Sequence, residues 1–121
     1  MKEISLYALI PCIALGLSAC DMTSPRSYAY DTCENIAINR LKNPDSYGHS
    51  KGTEDIIPGG QTRITINFTA WNGYKVPIPY DIKCIFQTRE KTERPRLLSI
   101  TWNARPIRQH ELEDIQKSLE K

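Results

Sequence analysis

The sequence predicts an α+β domain: an N-terminal helix packed on a three- to four-stranded antiparallel sheet, followed by a C-terminal helix. Three observations predict it. From Tyr28 to Leu41, apolar residues recur at three- and four-residue steps. Three later runs alternate apolar and polar side chains, and the closing segment returns to helical spacing. A chain of 121 residues holds one such domain with a modest core.

Residues 28–121 read as that single domain. Its first helix carries Ala29, Cys33, Ile36, Ala37 and Leu41 on one stripe. Asp31 and Glu34 fall in the early turns, and Arg40 and Lys42 in the last, as the helix dipole favours. Asn43-Pro44 ends it, because a residue before proline avoids the α region. Pro44 to Gly60, broken by Gly48, Gly52, Pro58, Gly59 and Gly60, reads as irregular, with at most a short strand near Asp55–Ile57. Thr62, Ile64, Ile66, Phe68 and Ala70 then alternate with Arg63, Thr65, Asn67 and Thr69, which makes a half-buried strand. A second run places Tyr80, Ile82, Cys84 and Phe86 inward, and a third Leu98, Ile100 and Trp102. From Ile107 to Leu119 a helix is predicted, with Leu112, Ile115 and Leu119 on its apolar stripe.

Strand pairing tests this arrangement. An antiparallel pair that sets Phe86 against Leu98, Cys84 against Ile100 and Ile82 against Trp102 puts every inward residue on one face. The preceding hairpin closes less simply. Asn72-Gly73 is a strong two-residue turn signal. Used that way, it would oppose Phe68 to Pro77 and send Val76, Ile78, Tyr80 and Ile82 to the wrong face. Either a bulge intervenes or Trp71–Pro79 is a longer excursion. Pro77 and Pro79 lack an N–H to donate, so both solutions put the segment at an edge.

The first twenty residues have a different character. Met1-Lys2-Glu3 is a short polar start, Ile4 to Leu17 is an apolar run, and Leu17-Ser18-Ala19-Cys20 closes it. The tetrapeptide resembles the lipobox of bacterial lipoproteins. That resemblance implies cleavage before Cys20, a diacylglyceryl thioether on its sulfur and an acyl group on its amine. Several acyl chains hold a protein at a membrane stably where one does not. Residues 1–19 are then a removed export signal, and 20–27 a lipidated tether whose polar Asp21–Ser27 joins lipid to domain. In enterobacterial lipoproteins an Asp at the position of Asp21 resembles a signal against outer-membrane export, so the inner membrane is the expected location, facing the periplasm.

Cleavage removes Cys12 and lipid occupies Cys20. Cys33 and Cys84 remain, one pair in an oxidising compartment, and a single disulfide is expected. It would pin the first helix to the sheet. The loop it closes is about fifty residues, for which the chain-entropy model gives roughly 4 kcal/mol. Cleavage removes one Lys and one Glu and leaves the formal charge at +2. So small a charge gives no footprint for nucleic acid. Arg89, Lys91, Arg94 and Arg96 gather at one turn, but Glu90 and Glu93 interleave them, as in a solvated loop.

The candidate partner-binding residues are Trp71, Tyr74, Val76 and Ile78, in the excursion that follows the first alternating strand. Exposed aromatic and proline-rich surface marks contact sites. The competing reading is that Trp71 and Tyr74 cover one end of the core, and their exposure separates the two. No catalytic residues, cofactor or metal ligands are assigned. His110-Glu111-Leu112-Glu113-Asp114 lacks the second histidine of the His-Glu-x-x-His zinc motif and reads as a charged helix face. Gly59-Gly60 lacks the Lys of a phosphate loop and reads as a turn. Asn67-Phe68-Thr69 matches a glycosylation acceptor and reads as strand surface. Leu41-Lys42-Asn43-Pro44-Asp45-Ser46, then Asn72-Gly73-Tyr74 and Cys84, also resembles a pattern in small exported bacterial proteins of unknown function. The resemblance supports the architecture and carries over no activity.

The expectation is therefore a non-enzymatic binding or accessory lipoprotein of the cell envelope that meets another envelope protein. The alternative is a protective lipoprotein, either a lysozyme-type inhibitor or an immunity or exclusion factor. A hydrolase would need a pocket with converging ionisable groups, and the sequence offers no such set.

Overall fold

The computed structural model describes residues 26–90 and 93–120. The export segment, Cys20 and most of the tether lie outside the described residues. Helix α1 (Tyr28–Arg40) leads through a 3-10 turn (Pro44–Ser46) into strands β1 (Gly48–Ile57), β2 (Gln61–Trp71), β3 (Pro77–Gln87), β4 (Arg96–Trp102) and β5 (Arg105–Pro106). Helix α2 (Gln109–Leu119) follows. Each strand pairs antiparallel with the next, giving a meander in the order β1-β2-β3-β4-β5. The described residues are thus α+β, with two α-helices and a Cys33–Cys84 bridge among them.

Helix α1 forms where the apolar stripe predicts. Ser27, placed by sequence at the end of the tether, is extended and caps it: its Oγ accepts from the Tyr30 N–H at 3.0 Å. Ala29, Cys33, Ile36, Ala37 and Leu41 are all buried. They meet Ile64, Ile66, Phe68 and Ala70 of β2, Ile82, Cys84 and Phe86 of β3, and Leu97 and Ile100 of β4. The bridge joins Cys33 to Cys84 with Cα atoms 6.0 Å apart, inside this core. Leu112, Ile115 and Leu119 of α2 pack against the same cluster.

The sheet departs from expectation in three places. It has five strands, not three or four, and its main addition is β1, ten residues long where irregular chain was expected. None of its residues is buried, so it leaves no alternating apolar signal. Gly52 lies in this strand because Tyr30 crosses it: a Cβ there would collide with the Tyr30 hydroxyl and ring. Second, Cys84 faces Ile100 and Ile82 faces Trp102 as expected, but a bulge then shifts the pairing, and Phe86 faces Leu97 instead of Leu98. Leu97 is the buried one.

Third, the β2–β3 hairpin has no two-residue turn at Asn72-Gly73. Trp71 pairs with Pro77, leaving a loop of residues 72–76, and Phe68 faces Tyr80 while Ala70 faces Ile78. Pairing with β4 begins only at Ile82, so Pro77 and Pro79 have a neighbouring strand on one side alone. The Asp81 N–H donates toward the β4 side, to Asn103 Oδ1 at 2.9 Å. By the two-residue period of a strand, the nitrogens of Pro77 and Pro79 point the same way, beyond the end of the β3–β4 ladder.

Contacts fix the direction of α1. Ser27 Oγ donates to Glu54, which faces Ile64 near the start of β2. Tyr47, beyond the other end of α1, packs on Phe68 at 4.9 Å. Asn43 reaches Asn72 past the end of β2. Helix α1 therefore runs alongside β2 in the same sense. Its thirteen residues span about 20 Å, which separates the chain entry at Arg26 from the β2–β3 loop.

Candidate functional site

At the far end of α1, two segments that are distant in sequence are tied together. Asn72 organises the loop. Its Oδ1 accepts from the backbone N–H groups of Tyr74 at 2.8 Å and Val76 at 3.1 Å. Its own N–H donates to the Val76 carbonyl, and Lys75 N–H donates back to the Asn72 carbonyl, each at 3.0 Å. Lys75 takes the left-handed conformation this turn requires, with φ 61°. The connection after α1 then braces the loop. Asn43 Nδ2 donates to the Asn72 carbonyl at 3.1 Å, and the Trp71 N–H donates to Ser46 Oγ at 2.8 Å. Ser46 Oγ in turn donates to the Asn43 carbonyl at 2.6 Å. The Leu41–Ser46 and Asn72–Tyr74 segments that stand apart in the sequence thus share one hydrogen-bonded unit.

On this unit Trp71 is 43% exposed, Tyr74 89% and Val76 50%. None of the three is a core residue. Ile78 differs from them: it is half-buried, in β3 opposite Ala70.

Beside the loop lies a cleft of about 290 Å³, lined by Arg40, Leu41, Lys42, Trp71, Asn72, Gly73, Tyr80 and Trp102. Its aromatic wall continues into the core. Tyr80 and Trp102 have ring centres 5.5 Å apart, Phe68 stacks on Tyr80 at 5.5 Å, and Tyr47 leans on Phe68. The Arg40 guanidinium sits 4.9 Å over the Trp102 ring and pairs with Glu111 of α2. Burial lowers its pKa, and its Nε is buried without a hydrogen-bond partner. Sequence reading put Arg40 and Lys42 at the helix C-terminus for the dipole alone. It did not foresee that they line a cleft with both tryptophans. The signal available was their position just before Asn43-Pro44, where the chain must turn toward the sheet.

Tyr47 supports this end from behind. Its hydroxyl donates to Glu34 Oε2 at 2.8 Å. Burial first, and this hydrogen bond second, push its pKa up to about 12.

The other sequence features fall elsewhere. His110 is exposed and its neighbour Glu111 is engaged by Arg40. Among the described residues, no three His, Cys, Asp or Glu side chains gather as a metal site. Gly59 and Gly60 form the β1–β2 turn with φ of 90° and 72°. Asn67 is exposed on β2. Arg89 pairs with Glu120 at 3.2 Å, and Arg94 lies over Tyr28 at 5.4 Å, both at the end where α1 begins.

Protein-family models, curated protein sequences and solved structures offer no match to this chain. Among the described residues, no helix is long and apolar enough to cross a membrane.

Proposed function

We propose that this chain is a lipid-anchored lipoprotein of the cell envelope with a non-enzymatic binding or accessory role. It faces the periplasm, tethered through Cys20, with Asp21 favouring the inner membrane. Its partner is another envelope protein, met by the β2–β3 hairpin. The Leu17-Ser18-Ala19-Cys20 sequence supports the tether, and a disulfide between Cys33 and Cys84 suits an oxidising compartment.

The observation that carries the binding role is the exposure of Trp71, Tyr74 and Val76 on a loop held by its own hydrogen bonds. A loop whose backbone is already held loses little conformational freedom on contact, which is what a recognition surface needs. The test is capture of the tagged full-length protein from crosslinked, detergent-solubilised membranes. A specific partner should be recovered with the wild type and with Ile56→Ala, whose side chain is exposed on β1 away from the hairpin. Recovery should be lost with Trp71→Ala plus Tyr74→Ala. Equal recovery with that double variant would remove the hairpin from the account.

A further inference from the structure

We propose that the cleft beside the hairpin takes a carboxylate side chain carried next to an apolar residue, within a short acidic segment of the partner. The proposal rests on the reading of the hairpin as the contact surface and names the chemistry it recognises. Among the described residues, two charged ones line the cleft, Arg40 and Lys42, both cationic, and no carboxylate does. Their roles differ. Arg40 is already held by Glu111 and stacked on Trp102. Lys42 is exposed, and no carboxylate pairs with it among the described residues.

The rest of the lining explains the apolar half of the ligand. Leu41, Trp71, Tyr80 and Trp102 offer hydrocarbon and ring faces, and a space of about 290 Å³ suits one or two side chains. A ligand seated there would set an aliphatic group against the rings and its carboxylate at Lys42 Nζ. The groove between α1 and α2 makes a contrast. Arg40 lines that one too, but with Glu111 and Asp114, so carboxylates outnumber its one cation. The two cavities share an arginine, and only the one at the hairpin is left with a surplus of positive charge.

Both tryptophans of the chain line this cleft, so its occupancy is directly visible in intrinsic fluorescence. The full-length protein is titrated with an acetylated, amidated peptide of alternating Leu and Asp. Its Asn analogue and an uncharged Leu peptide with a free C-terminus are run in parallel. The Asp peptide should shift the emission saturably. Lys42→Gln should weaken it by roughly fivefold, the upper end for an exposed ion pair, and added salt should weaken it further. Equal binding of the Asn analogue, or an affinity unchanged in Lys42→Gln, would overturn the proposal. A stronger response to the free C-terminus would overturn the internal acidic segment as the source of the carboxylate. No saturable shift, with partner capture still lost in the Trp71/Tyr74 variant, would reject the carboxylate and keep the hairpin. A Lys42-dependent shift with capture unaffected by that variant would do the reverse.

Discussion

Tyr47 and Gly52 show how single positions on an exposed strand and its approach carry specific constraints. The Tyr47 hydroxyl has a pKa of about 12 in the folded protein against an ordinary 10.0. A raised pKa favours the neutral phenol in the folded state. The stability it contributes is complete below pH about 10 and is lost as pH climbs through about 12. Thermal melts at about pH 9 and about pH 11 should show a larger drop for the wild type than for Tyr47→Phe, which cannot ionise. An equal drop would show that the phenol titrates as it does in the unfolded chain. Gly52 is set by contact: any Cβ collides with the Tyr30 ring. Gly52→Ala should cost about 1–3 kcal/mol in denaturant unfolding, and a smaller residue at 30, as in Tyr30→Leu, should reduce that cost. This glycine was read in the sequence as a loop marker because the sequence does not show what approaches it.

At the scale of elements, backbone strain collects at turns and at the bulge that opens β1, where His49 has φ 51°. The β4–β5 turn is a two-residue hairpin, with Asn103 at φ 50° and Ala104 at φ 69°. Asn tolerates that region and Ala does not. Ala104→Gly should therefore raise stability, by about 1 kcal/mol in denaturant unfolding, and no gain would mean the turn relaxes to another form. The bridge between α1 and β3 closes a separation of 51 residues. Replacing both cysteines by Ala should lower unfolding stability by roughly 4 kcal/mol if the effect is mainly on the unfolded chain. Calorimetry of the two forms checks this. These elements were legible to different degrees for physical reasons. Helix α1 and strands β2 and β3 are buried on one face, so their periodicity reports them. The β1 strand buries nothing, and only its ladder with β2 defines it. The bulge that exchanges Leu98 for Leu97 joins two adjacent leucines, and alternation alone does not choose between them. The hairpin parity conflict argued against the two-residue turn and left a bulge or a Trp71–Pro79 excursion open; the strands instead pair as far as Trp71 and Pro77, around a five-residue loop. It did not foresee that Asn72 would hold that loop through its side chain rather than as a turn corner.

Across the whole molecule, the helix axis separates two ends. The chain enters at Arg26, near the Arg89–Glu120 pair and the Arg94–Tyr28 contact. The cleft and the exposed hairpin stand about 20 Å away, beyond the other end of α1. Under the proposed tether at Cys20, the six residues from Asp21 to Arg26 hold the entry end near the lipid. A hairpin at the opposite end of α1 from that tether is free to meet a partner under the proposed anchoring. The candidate residues of the loop were legible in the sequence as aromatic, proline-flanked surface. The cleft was not, because Arg40, Lys42, Tyr80 and Trp102 come from α1, the connection after it, β3 and β4, which only the fold brings together. Everything at this scale depends on the anchor, so its most direct test is the intact mass of full-length protein expressed in a Gram-negative host, with membranes fractionated, beside Cys20→Ser. The account predicts a membrane-bound species that begins at Cys20 and carries acyl mass, lost in the variant. A soluble, unlipidated product in the wild type would contradict it, and would leave Cys20 a free thiol.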